Sequence, residues 1–463
     1  MSIKKLRNAQ NIFVKIGRWF GQIELTLGGL KYSATIKFNM LKVAIIGGGI
    51  SGLFSAFYLS QSGMDVTLFE KGDLSSGTSG RFHGMLHSGA RYAVNDKISA
   101  IECISENKRL SNIAENFIDD TGGVFVAANE KEAEFGDRLM KGCADAGIEA
   151  RDVDPQVVTA KEKHIGDIKR AISVPDKIVR SYELSVAIAA KSVINGLNVK
   201  TYSNVKRINV NNGEANSLEY ERSEKIYEDN FDYVINATGP FSNEILESSG
   251  LDREEMVASA GAMVVYEGRL VNSVINRMRE PSDGDIILPY GSVSIVGTTA
   301  VMVDDPNNFS VEDEDIKMMI DDAAVVMPYI KNHRYKRIYY SIRPLSEDED
   351  METDSRKVSR SFKIAKNSKA SNVLTVKGGK FTTGRLIGES VARMISSETG
   401  ERVDLSDYNF NDAYSEYLSK VKGEIPAINK INERTGTVDE EFAQRAASFL
   451  ISYSISMGDK IGI

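Results

Sequence analysis

Apolar and polar positions follow two different periods along this chain. Val43-Ala44-Ile45-Ile46 is an unbroken apolar run, the pattern of a strand covered on both faces. Leu53, Ala56 and Phe57 then recur at helical spacing, Gly63 stands where such a helix ends, and Val66-Thr67-Leu68-Phe69 restores a strand that stops at Glu70. The alternation continues downstream. Residues 98–117 predict a helix carrying Ile101, Ile104, Leu110 and Ile113, residues 123–127 a strand, and residues 131–146 a helix closed near Gly147. Residues 184–194 predict a helix stopped at Asn195-Gly196, and residues 198–202 a strand. Asn211-Asn212-Gly213 has hairpin-turn chemistry, and residues 233–240 form a buried strand ending in small residues. Residues 262–266 and 293–296 are strand-like, whereas residues 311–327 predict a helix whose first turn holds Glu312, Asp313, Glu314 and Asp315, where the helix dipole favours anions. Residues 412–422 and 440–453 complete the pattern as helices, so strands alternate with helices in the manner of an α/β protein.

The first strand leads into Gly47-Gly48-Gly49-Ile50-Ser51-Gly52. Gly47 allows the tight turn, Gly49 lets backbone approach a pyrophosphate, and Gly52 lets the helix pack on the strand, so free N–H groups at the helix start meet the anion. Glu70, at the end of the second strand, can accept from a ribose hydroxyl. The glycines alone would read as a simple turn; the order strand, glycine turn, helix, strand, acid argues for a dinucleotide. This motif serves NAD and FAD alike. The next segment, Lys71 to Arg91, separates them, because it is rich in glycine, hydroxyls, His and Arg where a nicotinamide domain would return to a βα repeat.

Lys71–Arg91 resembles the FAD-binding segment of the D-amino-acid-oxidase-like flavoproteins. Gly84-Met85-Leu86-His87-Ser88-Gly89-Ala90-Arg91-Tyr92-Ala93 resembles, more narrowly, FAD-dependent glycerol-3-phosphate dehydrogenases, above all the catalytic A subunit of the anaerobic enzyme. The likeness extends over residues 93–96, 102–107, 275–283 and 297–299, and covers residues 41–395 in all. It implies FAD as cofactor, held by Gly47, Gly49, Ile50, Ser51, Gly52, Glu70, Lys71, Thr78, Ser79, His83, Gly84, Val205, Ala237, Thr238, Gly239, Gly378, Gly379, Lys380, Phe381 and Thr382. It also implies sn-glycerol 3-phosphate as substrate, bound by Arg91, Tyr92, Arg343, Arg360 and Lys380, with hydride passing from C2 to flavin N5. Guanidinium forks match phosphate oxygens in pairs and lysine adds a compact charge; any one of these cations alone would read as a surface ion pair. Arg343, His87 and Lys380 are the implied catalytic residues, Arg343 facing the charge that develops on the C2 oxygen. His87 is the first candidate base, with Tyr340 and His83 behind it, and both histidines read equally well as structural groups. In aerobic relatives a histidine follows the Gly-Ser of a strand where this chain has Gly261-Ala262-Met263, so that histidine's role has no counterpart in Met263.

The resemblance implies an α/β fold: a discontinuous Rossmann-like FAD-binding domain from residues 40–115, 180–255 and 350–398, a mixed-sheet α+β substrate domain from 116–179 and 256–349, and a small helical tail from 399–463. At 463 residues with a net charge of −8, the chain is large enough for such domains, and its acidity argues against nucleic acid as a partner. Cys103 and Cys143 lack the spacing of a cysteine-ligated cluster, which excludes an iron–sulfur centre held by this chain's own thiols. Electrons therefore leave for quinone, a partner subunit or oxygen. Residues 1–39 form a basic extension, Lys4, Lys5, Arg7, Lys15, Arg18, Lys31 and Lys37 against Glu24, which leaves the remainder at −14. Either translation starts at Met40, or Ile12, Phe13, Val14, Ile16, Trp19 and Phe20 make a peripheral membrane arm. The expected location is cytoplasmic, with attachment to the inner face of the cell membrane as an extension of that second reading. Rival readings are a related oxidoreductase of a 2-hydroxy acid or amine, since arginine also clamps carboxylates, and a non-catalytic flavin-bearing subunit.

Overall fold

The computed structural model describes residues 21–27, 30–36, 40–346, 361–420 and 440–457. Gly21–Leu27 and Leu30–Ile36 form an antiparallel hairpin with Leu27 opposite Leu30, a unit by itself. The period-two spacing of Ile23, Leu25 and Leu27 was the available signal for it, masked by the basic residues around it. The apolar residues from Ile12 to Phe20 lie outside the described residues, as do Arg360 and the acidic run 347–350.

The body of the chain begins with β1 (Lys42–Ile46), α1 (Ile50–Gln61) and β2 (Asp65–Phe69). Next come α2 (Lys97–Ile113), α3 (Ser181–Ile194), β3 (Asn198–Lys200) and β4 (Tyr233–Asn236). Two long strands follow, β5 (Met256–Glu267) and β6 (Tyr335–Ser346), then β7 (Phe362–Lys366), β8 (Val373–Gly378) and α4 (Gly384–Thr399). One sheet has the order β3-β2-β1-β4-β8-β7, parallel throughout except at the β7 edge. Strands distant in sequence thus meet at β1, as the discontinuous Rossmann-like reading requires.

Both faces of β1 are covered, which is why its sequence is apolar without alternation. Ala44 and Ile46 pack with Ile208, Leu218 and Tyr220 of a meander built from Asn204–Asn211, Glu214–Arg222 and Lys225–Asn230. Ile45, pointing the other way, abuts Gly52 of α1. The meander's first turn is the one legible in sequence, with Asn212 and Gly213 both at positive φ. The helix expected over 98–117 stops at Ile113, because Ala114 leaves helical geometry and Glu115–Phe117 closes as a 3-10 turn.

A second, mixed sheet runs Val301–Val303, β5, Val293–Gly297, Ile286–Tyr290, Val274–Arg277, Gly123–Ala127, Arg170–Val174 and Arg151–Val153, with β6 paired along β5. Helix Asp313–Ala324, shorter than the pattern suggested, covers one face through Ile316, Met319 and Ala323. Near the C-terminus, Ala413–Lys420 and Glu440–Ser456 are helical, while residues 401–409 are not.

α1 and α4 cross at unusually close range. A Cβ on Gly384 would fall 2.6 Å from Ile50, and one on Gly388 would fall 2.4 Å from the Phe54 backbone, so only glycine fits on this i, i+4 face. Beside the crossing, the buried Arg385 grips Glu106 of α2 at 2.8 and 2.6 Å, and Tyr58 of α1 at 2.7 Å. Burial pushes the Glu106 carboxyl up from its ordinary value despite Arg385, the sign of a pair whose desolvation is costly. Arg385→Met strands that carboxyl and is expected to lower unfolding free energy by about 3–5 kcal/mol, whereas Arg385→Met combined with Glu106→Met recovers most of the loss. Urea denaturation midpoints of the two proteins check this.

Candidate active site

The carboxyl ends of β1, β4 and β8 open on a cavity of about 1340 Å³. That exceeds the roughly 300–1,000 Å³ of ordinary small-molecule sites and leaves room for a dinucleotide beside a second reactant. Its wall begins at the β1–α1 turn. Gly47 sits at φ +108°, and a Cβ there would lie 2.6 Å from the Ala237 carbonyl, so the turn reaches the end of β4 only as glycine. Gly52 lies behind the turn rather than on the cavity wall, where a Cβ would strike the Gly47 carbonyl at 2.0 Å. α1 starts at Gly49 without a side-chain cap and without an acid in its first turn, so Gly49, Ile50 and Ser51 present a positive helix end to the cavity. Ser79 Oγ accepts from Ile50 N at 2.9 Å and ties the glycine-rich segment to that end.

Glu70 holds the turn from the other side. Its carboxylate accepts from Gly48 N at 2.7 Å and from Gly72 N at 2.8 Å, and each oxygen keeps a lone pair for a ligand hydroxyl. Val205, with Ser203 and Asn204, lines the same region. Lys71 lies over the Phe241 ring at 4.0 Å. Ala237, Thr238 and Gly239 lie across from the α1 start, and Thr78 Oγ1 donates to the Ile342 carbonyl at 2.6 Å, tying the glycine-rich segment to β6 at the wall.

The other end of the cavity gathers cations. Arg343 on β6 reaches across β5, donating to the Thr299 carbonyl at 2.6 Å and to Ser259 Oγ at 3.3 Å. Gly261 makes this path possible, because a Cβ there would meet the Arg343 guanidinium at 2.9 Å. Gly378 and Gly379 both take positive φ before α4, and Lys380 follows, its ammonium 3.1 Å from Ser99 Oγ and 4.9 Å above the Tyr92 ring. Phe381 stacks on Phe82 at 5.1 Å, and Thr382 Oγ1 accepts from His87 N at 3.1 Å. His83 and His87 stand 5.5 Å apart, ring to ring, and His87 lies 5.4 Å from Tyr92.

The two histidines differ. His83 Nδ1 accepts from Met85 N at 3.1 Å, so a neutral ring carries its proton on Nε2. Burial, reinforced by Arg343 and Arg91, drops its pKa to about 3, and the ring stays neutral near pH 7. His87 is buried in the loop fixed by Asp176, which accepts from Ser88 N at 2.7 Å and from Asn276 Nδ2 at 3.1 Å. Asn107, from the family-like helix segment, donates to the Leu86 carbonyl at 3.0 Å.

Nearly all the residues singled out in sequence share this cavity. Gly84 does not reach its wall: at φ +90° it packs against the Tyr290 ring. Tyr340 sits on the opposite face of β6 from Arg343, exposed and beside Phe309, which removes it as a base. Arg91 lines the cavity, but its guanidinium is already bonded to buried Asp285 at 2.9 Å. Sequence reading assigned no role to Asp176, Asp285, Phe82, Ser99 or Gly261, which act through partners far away in the chain; Phe82 and Gly261 stood within quoted motifs and Asp285 just past one.

The glycine cradle, the helix start without a side-chain cap of its own and the volume of the cavity fit an FAD-sized dinucleotide, with Glu70 and Lys380 both on the wall. Comparison with known proteins agrees. Residues 42–394 match the family model described as FAD dependent oxidoreductase. The A1 subunit of the anaerobic glycerol-3-phosphate dehydrogenase of Haloferax volcanii is 36% identical over 374 residues, 77% of this chain and 64% of that one. The A subunit of the Escherichia coli enzyme is 32% identical over 380 residues, covering 77% and 67%. The chain thus spans just under two-thirds of the length of the Haloferax relative. Among solved structures, the glycerol-3-phosphate dehydrogenase of Bacillus halodurans complexed with FAD superposes with a TM-score of 0.64, at 16% identity, over 91% of this chain and 79% of that one.

The low pKa of His83 has a consequence for stability. In the unfolded chain His83 takes a proton below about pH 6.5, whereas in the fold it stays neutral down to about pH 3. Its contribution is therefore intact above pH 6.5 and is lost as pH falls toward 3, at about 1.4 kcal/mol per pH unit. His83→Gln, which keeps an acceptor for Met85 N, is expected to lose about 2 kcal/mol less than the unaltered protein between pH 6.5 and 5. Urea unfolding at both pH values provides the comparison.

Proposed function

This chain belongs to the family of FAD dependent oxidoreductases, and from that premise we propose that it oxidises sn-glycerol 3-phosphate to dihydroxyacetone phosphate. Electrons then pass to a quinone or to a partner subunit. What carries this reading is the convergence of Arg343, Lys380, Tyr92 and His87 on one end of the cavity, in a chain so similar to the A subunits.

Bound FAD supplies the hydride acceptor. The protein's own groups do the rest. Lys380, seated on the Tyr92 ring, and Arg91 set a positive potential for the phosphate, and holding that remote group fixes C2 at the reacting end. Arg360 is assigned to the same anion by its motif, though it lies outside the described residues. Arg343, fastened by carbonyl oxygens, donates toward the C2 oxygen as negative charge grows there. His87 accepts the hydroxyl proton. His83, with its pKa near 3, holds no extra proton at neutral pH and serves instead as an oriented N–H donor. Gly378 and Gly379 would offer backbone amides to a bound cofactor, and the Phe82–Phe381 stack, on the same cavity wall, would help exclude water.

Among the described residues no helix is long and apolar enough to cross a membrane. If the acceptor is a quinone, the peripheral-arm reading of residues 1–39, rather than a start at Met40, would bring the chain to the membrane surface. The readout is anaerobic bleaching of the flavin band by sn-glycerol 3-phosphate. Rapid bleaching is expected, slowed about 10²–10³-fold in Arg343→Ala protein that still holds FAD. Bleaching by a 2-hydroxy acid or an amine, with none by glycerol 3-phosphate, would transfer the assignment to those substrates; no bleaching by any of them would favour a subunit that only carries flavin. Gly47→Ala is expected to purify without flavin, because its Cβ has no space beside Ala237.

A further inference from the structure

Arg91 is one end of a chain of charges that leaves the cavity. Its guanidinium donates to Asp285 Oδ2 at 2.9 Å and to the Ser282 carbonyl at 3.4 Å. Asp285 Oδ1 accepts from Arg279 Nε at 2.8 Å, and Oδ2 also accepts from Ser282 N at 2.5 Å. Arg279 continues to Asp322 at 3.0 Å, Asp322 to Arg277 at 3.2 Å, and Arg277 to Glu132 at 2.8 Å. Asp285 is buried, yet it shares one carboxylate between two guanidinium groups. Ordinary pairing of Arg91 with one acid would cancel its charge at the wall. Here Asp285 is shared with Arg279, so Arg91 is only partly neutralised at the wall; along the whole chain Arg91, Arg279 and Arg277 balance Asp285, Asp322 and Glu132, and the last two acids lie off the wall. Glu280 also stands on the cavity wall, where its own charge is paired with Arg138 at 3.0 Å and it accepts from Asn95.

We propose that Asp285 is the positioning residue of the anion subsite, holding Arg91 against the cavity wall while Arg279 keeps that arginine's charge available to the phosphate of the substrate. Glu280, Pro281 and Ser282 of the same loop line the cavity, so the clamp also sets the shape of the wall beside the phosphate. A fork of guanidinium donors is selective only when its orientation is fixed, and a buried carboxylate with both oxygens engaged fixes it better than solvent does. The inference rests on the glycerol 3-phosphate reading for the identity of the anion, but not for its charge.

The test uses FAD-loaded protein, with melting temperature and flavin content recorded for every variant. Two readouts are taken: the perturbation of the flavin spectrum by inorganic phosphate, and KM and kcat for sn-glycerol 3-phosphate. Asp285→Asn raises the local positive charge but releases Arg91. Positioning predicts weaker phosphate binding and a KM raised about tenfold or more, with a smaller change in kcat; tighter or unchanged phosphate binding overturns the proposal. Arg279→Gln, which lies off the cavity wall, is expected to raise KM and weaken phosphate several-fold with kcat kept, through the lost charge. If Asp285→Asn fails to hold FAD, Arg279→Gln decides alone, and values within twofold of the unaltered protein overturn the proposal. Phosphate binding without reduction by glycerol 3-phosphate would defeat the substrate reading and leave the subsite standing, while absence of phosphate binding in the unaltered protein would defeat the subsite.

Discussion

The close crossing of α1 and α4 is the constraint on which the rest of the molecule depends. Gly384 and Gly388 give up side chains so that the backbone of one helix can rest on Ile50 and Phe54 of the other. A helix pair at ordinary separation would set the two helix starts apart. At this distance the uncapped start of α1 and the Gly378–Thr382 turn leading into α4 border a single cavity. The oriented N–H groups of α1 then favour an anion without any side-chain charge, and residues 43–70 and 378–388 become one site although most of the chain separates them.

The crossing is locked by charge as well as by shape. Arg385 sits one residue past Gly384 and ties α4 to α2 through Glu106 and to α1 through Tyr58. α2 in turn carries Ser99, which receives the Lys380 ammonium, and Asn107, which holds the loop before His87. Packing and chemistry are therefore continuous: a shift of α2 would move both the proposed base and the lysine. The second sheet contributes in a different way. β5 and β6 pair over their full length, with Ser259 opposite Arg343, and that register brings one arginine to the cavity while turning Tyr340 outward.

Electrostatics divides the site into two ends. Around Glu70 the wall offers backbone amides and hydroxyls, with Lys71 and Glu244 close by, a setting suited to hydroxyls and to a pyrophosphate on a helix start. Arg343, Lys380 and Arg91 gather on another part of the wall, and burial, reinforced by Arg343 and Arg91, holds His83 neutral there. A desolvated imidazole beside arginines is a poor proton acceptor, and the proposed reaction gives that role to His87.

The glycine turn, the acid at the end of β2, the FAD-binding character of the following segment and the family were legible in the sequence, because each is a local pattern whose residues sit within a few positions of one another. So were the hairpin turn at Asn212-Gly213 and most helices, whose periods are local too. The end of α2 at Ile113, the outward face of Tyr340 and the engagement of Arg91 by Asp285 were not legible. Each depends on a partner brought in by the fold: strand register sets the face of Tyr340, and a loop nearly two hundred residues away supplies Asp285. The sequence alone determined which cofactor chemistry the chain is built around, since backbone conformation near a phosphate demands particular residues at fixed spacing. Tertiary structure alone decided which charges face the cavity and which are spent on one another, since an arginine's availability depends on the distance to its nearest carboxylate, and that distance exists only after folding.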